Sequence, residues 1–207
     1  SSMSLRVGVA GAGGFGRAIA VASARHGHEV ALWSRREREL PDPIRVSTDI
    51  VGLRDCELIF LAVPARHAVD VAEQLGEVVD GRHSMVHVSR GLVGAELKTI
   101  TQVIRDKTVC RRLGALAGPL VADALADGRP RGAILGTGFP ELTDMVRGAL
   151  GGAGLRVYET RDVLGVELAS ATVGFLTVVL AYAQELGVEP STVAVLATRG
   201  IVEGSSR

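Results

Sequence analysis

The chain has 207 residues, 47% of them hydrophobic, and its 23 basic and 23 acidic side chains cancel. That length fits one large domain or one domain with a small appendage, and the apolar content is ample for a core. Zero net charge argues against a polyanion or membrane-surface partner, and 3% aromatics against base-stacking platforms for single-stranded nucleic acid.

Ser1-Ser2-Met3 reads as an added stretch ahead of the native start. Leu5 to Ala10 is an apolar run with the character of a buried parallel strand, and it breaks into Gly11-Ala-Gly13-Gly14-Phe15-Gly16, a GxGxxG pattern. Gly11 allows the tight turn, and Gly13 removes the Cβ that would hold a pyrophosphate off the backbone. Gly16 lets the following helix, Arg17 to Ala24, sit against the strand. An anion there would rest on amide groups at a helix N-terminus. Gly27 closes the helix before a second strand, His28 to Ser34, which completes the setting the motif requires. Gly11, Gly13, Gly14, Phe15 and Gly16 are therefore candidate cofactor contacts.

The second strand ends in Ser34-Arg35-Arg36, where an NAD-binding unit usually carries a carboxylate for the ribose 2′-OH. A hydroxyl and two guanidiniums suit a 2′-phosphate, so NADP(H) is the expected cofactor, with NAD(H) second. A solvated basic loop is the plain alternative, since the run continues Glu37-Arg38-Glu39.

A small segment follows around Thr48 to Arg54. Cys56 to Val63 is a buried strand ended by Pro64, and Ala65 to Leu75 is a helix. Ser84 to Val88 is a strand leading into Ser89-Arg90-Gly91-Leu92, with a helix over Ala95 to Arg105. Arg112 to Ala117 is a strand ending in Gly118-Pro119, before a short helix to Ala126. Strands at Ala133 to Leu135 and Leu155 to Tyr158 flank a helix over Glu141 to Leu150. This alternation predicts an α/β fold, a doubly wound parallel Rossmann-type sheet over residues 1–160. From 161 to 207 only helical patterns remain, Val163 to Leu186 and Ser191 to Arg199. Within the first of these, Ser170 to Gln184 has no charge; it is too short to span a membrane and reads as a helix buried in a core or an interface, a twofold dimer being the simplest closure. Cys56 and Cys110 lack metal-ligand spacing and read as reduced, structural thiols of a cytoplasmic protein.

In a doubly wound sheet, ligands bind beyond the C-terminal strand ends. That edge gathers the glycine loop, Ser34 to Arg36, Val63-Pro64, Ser89-Arg90-Gly91 and Gly118-Pro119. The two prolines have a plain alternative as strand terminators.

With these positions laid out, the chain resembles the soluble, bacterial-type NAD(P)-dependent glycerol-3-phosphate dehydrogenases. The likeness runs through GAGGFG, LWSRR, AVP at 62–64, SRGL at 89–92, AGP at 117–119, DVLGVELA at 162–169 and ATRG at 197–200. It implies hydride exchange between a nicotinamide cofactor and dihydroxyacetone phosphate, with Val63, Pro64, Arg90 and Ala122 as further cofactor contacts. Arg90 and Gly118 are then expected near the substrate, and a dimer would bring Arg199 there from the partner subunit. The resemblance puts Val173 where the family carries its acid/base lysine, Arg90 at the lysine of SKGL, and Leu120 at a serine or threonine. The family's later Arg-Asn phosphate grip has no counterpart before Arg207.

Carbonyl reduction needs a proton for the forming alkoxide, and a positioned acid is worth roughly 10²–10⁴ in rate. Val173 cannot supply one, and a guanidinium with its pKa above about 12 is a poor donor. Arg90, His67 and Glu167 are the catalytic candidates that remain; surface and orienting roles are the plain readings of the last two. Three functions stay open: an oxidoreductase of this family with intact or redirected activity, a cofactor-binding relative without catalysis, and a short reductase using a flavin-like or imine acceptor.

Overall fold

A computed structural model describes residues 3–118, 131–187 and 192. Eight strands form one sheet, ordered β3-β2-β1-β4-β5-β6-β7-β8. The first six are β1 (Arg6–Ala10), β2 (Glu29–Trp33), β3 (Arg45–Ser47), β4 (Leu58–Leu61), β5 (Ser84–His87) and β6 (Arg112–Ala117). All five pairings among them are parallel. This is the Rossmann order 3-2-1-4-5-6, with its switch point between β1 and β4, where a crevice opens beyond the strand ends.

The alternating strand residues make two cores. Val7, Val9, Val30, Leu32, Leu58 and Phe60 face α1 (Gly14–Arg25) and α4 (Pro140–Leu150). Ala10, Ala31, Trp33, Ile59 and Leu61 face α2 (Ala65–Gly76) and α3 (Ile100–Lys107). Period-two alternation in strands buried on both faces requires helices on both sides, as the sequence pattern predicts. Cys56 and Cys110 are free and buried, and burial pushes both thiols up to about 11, so they pack as small apolar groups.

Several expectations are corrected. β7 (Arg131–Thr137) pairs antiparallel with β6, and β8 (Leu155–Thr160) runs parallel to β7, so the sheet is mixed. A hydrophobic strand pattern carries no direction, and the sequence could not reveal the reversal. β3 falls outside the segment expected around Thr48 to Arg54. That segment is a single 3₁₀ turn, Ile50–Leu53, whose first turn is capped by the Asp49 carboxylate accepting from the Val51 amide. The helix expected from Ala95 begins at Ile100 instead. Gly94 and Leu97 both take positive φ, Val93 and Lys98 form an antiparallel bridge, and Thr99 with Gln102 makes a capping box.

The last described helix, α5 (Val163–Glu185), has 23 residues and packs on β6 and β7. It is longer than its uncharged stretch, and by length and composition it would suffice to cross a membrane. Burial of this helix in the core of one chain is not what the structure shows: Phe175, Val178, Tyr182 and Leu186 are each more than 60% exposed.

Candidate functional site

At the end of β1 the chain turns through Gly11, whose φ of +123° is open to glycine and strained for other residues. A Cβ on Gly11 would strike the Ala62 carbonyl, and one on Gly16 would strike the Gly11 carbonyl, so these two glycines let α1 close on the strand. Gly13 differs. It has an ordinary extended conformation as the N-cap of α1, and a Cβ built on it meets nothing within 4 Å. The same holds for Gly14. Among the described residues nothing crowds a side chain at these two positions; their missing side chains leave open the space in front of a helix N-terminus that no side chain caps and whose first turn holds no acid. That cradle fits a pyrophosphate held by backbone amides.

The neighbouring strand ends converge as expected. Val63 lies beside Gly11, and the Ser89 hydroxyl donates to the Val63 carbonyl at 2.5 Å, tying β5 to β4. Pro64 begins α2 as its N-cap. Arg90 lies with its guanidinium 5.9 Å from the centre of the Phe15 ring, a cation–π distance, and its stem lies against Gly174 of α5. Arg90, Gly118, Ser170 and Val173 line a cavity of about 280 Å³ whose other walls, including Ala117, Ala133 and Ile134, are apolar. Val173 and Arg90 thus share one chamber beside the glycine loop. Ala122 and Arg199 lie outside the described residues.

Beyond β2, Ser34 is buried and its amide donates to the Ser47 carbonyl, while its hydroxyl faces the Arg36 amide at 3.4 Å. Arg36 is exposed. Arg35 is engaged: its guanidinium donates to the Asp70 carboxylate of α2 at 2.6 Å.

Glu167 does not open onto the cavity. It is 5% exposed, and its Oε2 accepts from His87 Nε2 at 2.9 Å and from the Thr101 amide at 3.0 Å. Burial raises this carboxyl, but the His87 hydrogen bond and charge and the Thr101 bonds outweigh it, leaving the pKa below the ordinary value. The carboxylate is therefore ionised and His87 Nε2 carries the donated proton. Of the five histidines, His28 and His83 spend both ring nitrogens on hydrogen bonds, and His26 and His87 spend one each. His67, half-buried in the first turn of α2, keeps a ring with no hydrogen-bond partner among the described residues. Lys98 and Lys107, the only lysines, are ion-paired to Asp106 and Glu73 at 2.9 and 2.6 Å.

Sequence reasoning missed Asp70, His87 and Ser170. His87 carried a readable signal, a polar residue closing a fully buried strand that must have a partner. Asp70 and Ser170 carried none, because only the packing of α2 and α5 brings them to these positions.

The family model for the N-terminus of NAD-dependent glycerol-3-phosphate dehydrogenase matches residues 6–40 and 36–139. The chain belongs to this family. It is 30% identical to the glycerol-3-phosphate dehydrogenase [NAD(P)+] of Pseudomonas savastanoi pv. phaseolicola, over 95% of this chain and 63% of that protein. It is 27% identical to that of Thermoanaerobacter sp. strain X514, over 96% of this chain and 66% of the relative. The crystal structure of glycerol-3-phosphate dehydrogenase from Coxiella burnetii superposes with a TM-score of 0.87 at 22% identity, covering 97% of this chain and 67% of that one. The chain thus spans about two thirds of the length of such relatives, and the match establishes the fold through the helix that carries Glu167 and Val173.

Proposed function

We propose that the chain is an NAD(P)-dependent oxidoreductase of glycerol-3-phosphate dehydrogenase type that turns over dihydroxyacetone phosphate slowly, if at all. Gly11, Gly13, Gly14, Phe15 and Gly16 would hold the pyrophosphate, Val63 and Pro64 the wall beside it, and Ser34 to Arg36 the adenosine end. When bound, the nicotinamide would supply or accept hydride.

The observation that carries the doubt about turnover is the chamber itself, whose wall holds Val173 and Arg90 but, among the described residues, no lysine. Arg90 can orient a carbonyl or phosphate oxygen through its fork of N–H donors, but it does not release a proton near neutral pH. Neither lysine is available, and Glu167 is ionised and spent on His87 and Thr101. Of the candidates named from the sequence, His67 is the one that keeps a proton-donating side chain with no hydrogen-bond partner among the described residues. A cofactor-oxidation assay with dihydroxyacetone phosphate, run beside a panel of other small carbonyl compounds, tests this directly. Turnover of dihydroxyacetone phosphate in the ordinary range of about 1–10³ per second would overturn it. Binding of the cofactor without turnover of any carbonyl would favour a non-catalytic relative, the reading that Val173 also supports.

NADPH is proposed to bind better than NADH, through Arg35 and Arg36 at the adenosine end. Losing a charge-assisted hydrogen bond costs roughly 1.5–3 kcal/mol, so Arg35→Ala should weaken NADPH by roughly tenfold or more. NADH should be nearly untouched. Titration of both cofactors decides it, and equal weakening would reduce the arginines to a basic surface loop.

The exposed apolar side of α5 supports a homodimer, with residues from 161 onward as its assembly segment, and the likeness to soluble relatives supports a cytoplasmic location. Leu164, Phe175, Val178, Tyr182 and Leu186 expose a run of apolar surface, and burying such area is worth about 25 cal/mol per Å². A second copy packing the same helix gives a closed, isologous contact. Sedimentation at micromolar concentration should give twice the chain mass, and a stable monomer would end the dimer reading.

A further inference from the structure

The end of β2 lacks the carboxylate that marks an NAD site, yet a carboxylate reaches it from elsewhere. β2 and β4 flank β1 on either side, and the Arg35–Asp70 pair joins the segment after β2 to the helix after β4. The pair therefore bridges, past the end of β1, the two walls between which the adenosine end of a dinucleotide would sit. Both side chains are about half exposed, so solvent and ligand can reach them. The Gln74 amide also approaches the same Asp70 oxygen, at 3.4 Å, so the carboxylate is steadied from its own helix.

We propose that Asp70 is a specificity-determining residue, opposing the preference for a 2′-phosphate that the arginines create. The proposal rests on the assignment of Arg35 and Arg36 to the adenosine end. A 2′-phosphate brings close to two negative charges and needs the guanidinium that Asp70 already holds. It must therefore compete for Arg35 and sit close to a second anion. A 2′-hydroxyl carries no charge and leaves the pair intact. Asp70 thus narrows the gap between NADPH and NADH, so that the site accepts both.

The test is the ratio of dissociation constants for NADPH and NADH, from fluorescence titration of the whole chain. Asp70→Asn keeps the shape and removes the charge at an exposed position. It should tighten NADPH by roughly two- to fivefold, the reach of an exposed ion pair, and leave NADH unchanged. The gain should shrink as salt is raised. Glu73→Gln is the control, since this acid lies on the same helix but pairs with Lys107 at 2.6 Å. It should leave the ratio alone. An unchanged ratio in Asp70→Asn, or an equal change in Glu73→Gln, overturns the role of Asp70. If Arg35→Ala and Arg36→Ala also leave the ratio unchanged, the assignment of the adenosine end has failed, and the role of Asp70 with it. If Arg35→Ala shifts the ratio while Asp70→Asn does not, only the role of Asp70 has failed.

Discussion

Replacing Gly13 with valine should weaken nicotinamide dinucleotide binding severely while leaving the protein folded. The separation of these effects follows from what surrounds each glycine of the loop. At Gly16 an added Cβ runs into the Gly11 carbonyl, so even alanine there forces α1 off its strand and destabilises the fold. At Gly13 the backbone is extended, with φ −70° and ψ −174°, and a Cβ meets nothing within 4 Å. Valine is a poorer N-cap than glycine, a loss of about 1 kcal/mol, which a domain stable by about 5–15 kcal/mol tolerates. Its two methyl groups occupy the space in front of the free amides of α1, where the pyrophosphate would lie. Affinity for NADPH should fall by roughly 100-fold or more, about 2.7 kcal/mol. Circular dichroism and the thermal midpoint should change little. A folded Gly13→Val protein with unaltered NADPH affinity would remove the loop from the cofactor site.

Glu167→Ala should cost about 2–5 kcal/mol of stability, because it strands two buried donors at once. His87 Nε2 and the Thr101 amide both give their protons to one carboxylate oxygen, and the His87 and Glu167 side chains are each 4% exposed. Glu167→Gln keeps an acceptor of the same shape and should lose less. The pair joins α5 to the end of β5 and the start of α3, so its loss frees the helix that carries Ser170, Val173 and Gly174 against Arg90. The pH dependence follows from the lowered carboxyl pKa. An acid whose pKa is lower folded than unfolded stabilises the fold fully above the ordinary value of 4.5 and stops doing so as pH falls through and below it. Denaturant unfolding of wild type and Glu167→Ala should therefore differ most near neutral pH and converge in acid. A difference that stays constant down to strongly acid pH would show that the carboxylate charge plays no part.

The sequence by itself determined the first βαβ unit, since a buried strand, glycines at fixed offsets and a helix leave the backbone one local solution. It also pointed to the loop glycines as candidate cofactor contacts, and it fixed the basic end of β2 and the meeting of Val63, Pro64 and Arg90 on one edge, which strand-end logic expects of a doubly wound sheet. The family resemblance, carried by the order of its motifs, puts Val173 and Arg90 at two positions where the family carries lysines, and the fold brings both to the wall of one cavity. Tertiary structure alone decided the direction of β7, because alternation of side chains is the same for either strand sense. It decided that Glu167 is a buried anchor, since the periodicity of α5 does not tell which of its turns touches His87. It decided that α5 shows an apolar side to its surroundings, because the pattern of one helix cannot say how much of it the sheet covers. And it set Asp70 against Arg35, 35 positions apart in the chain, since only the packing of α2 beside β1 fixes which surface acid reaches the end of β2.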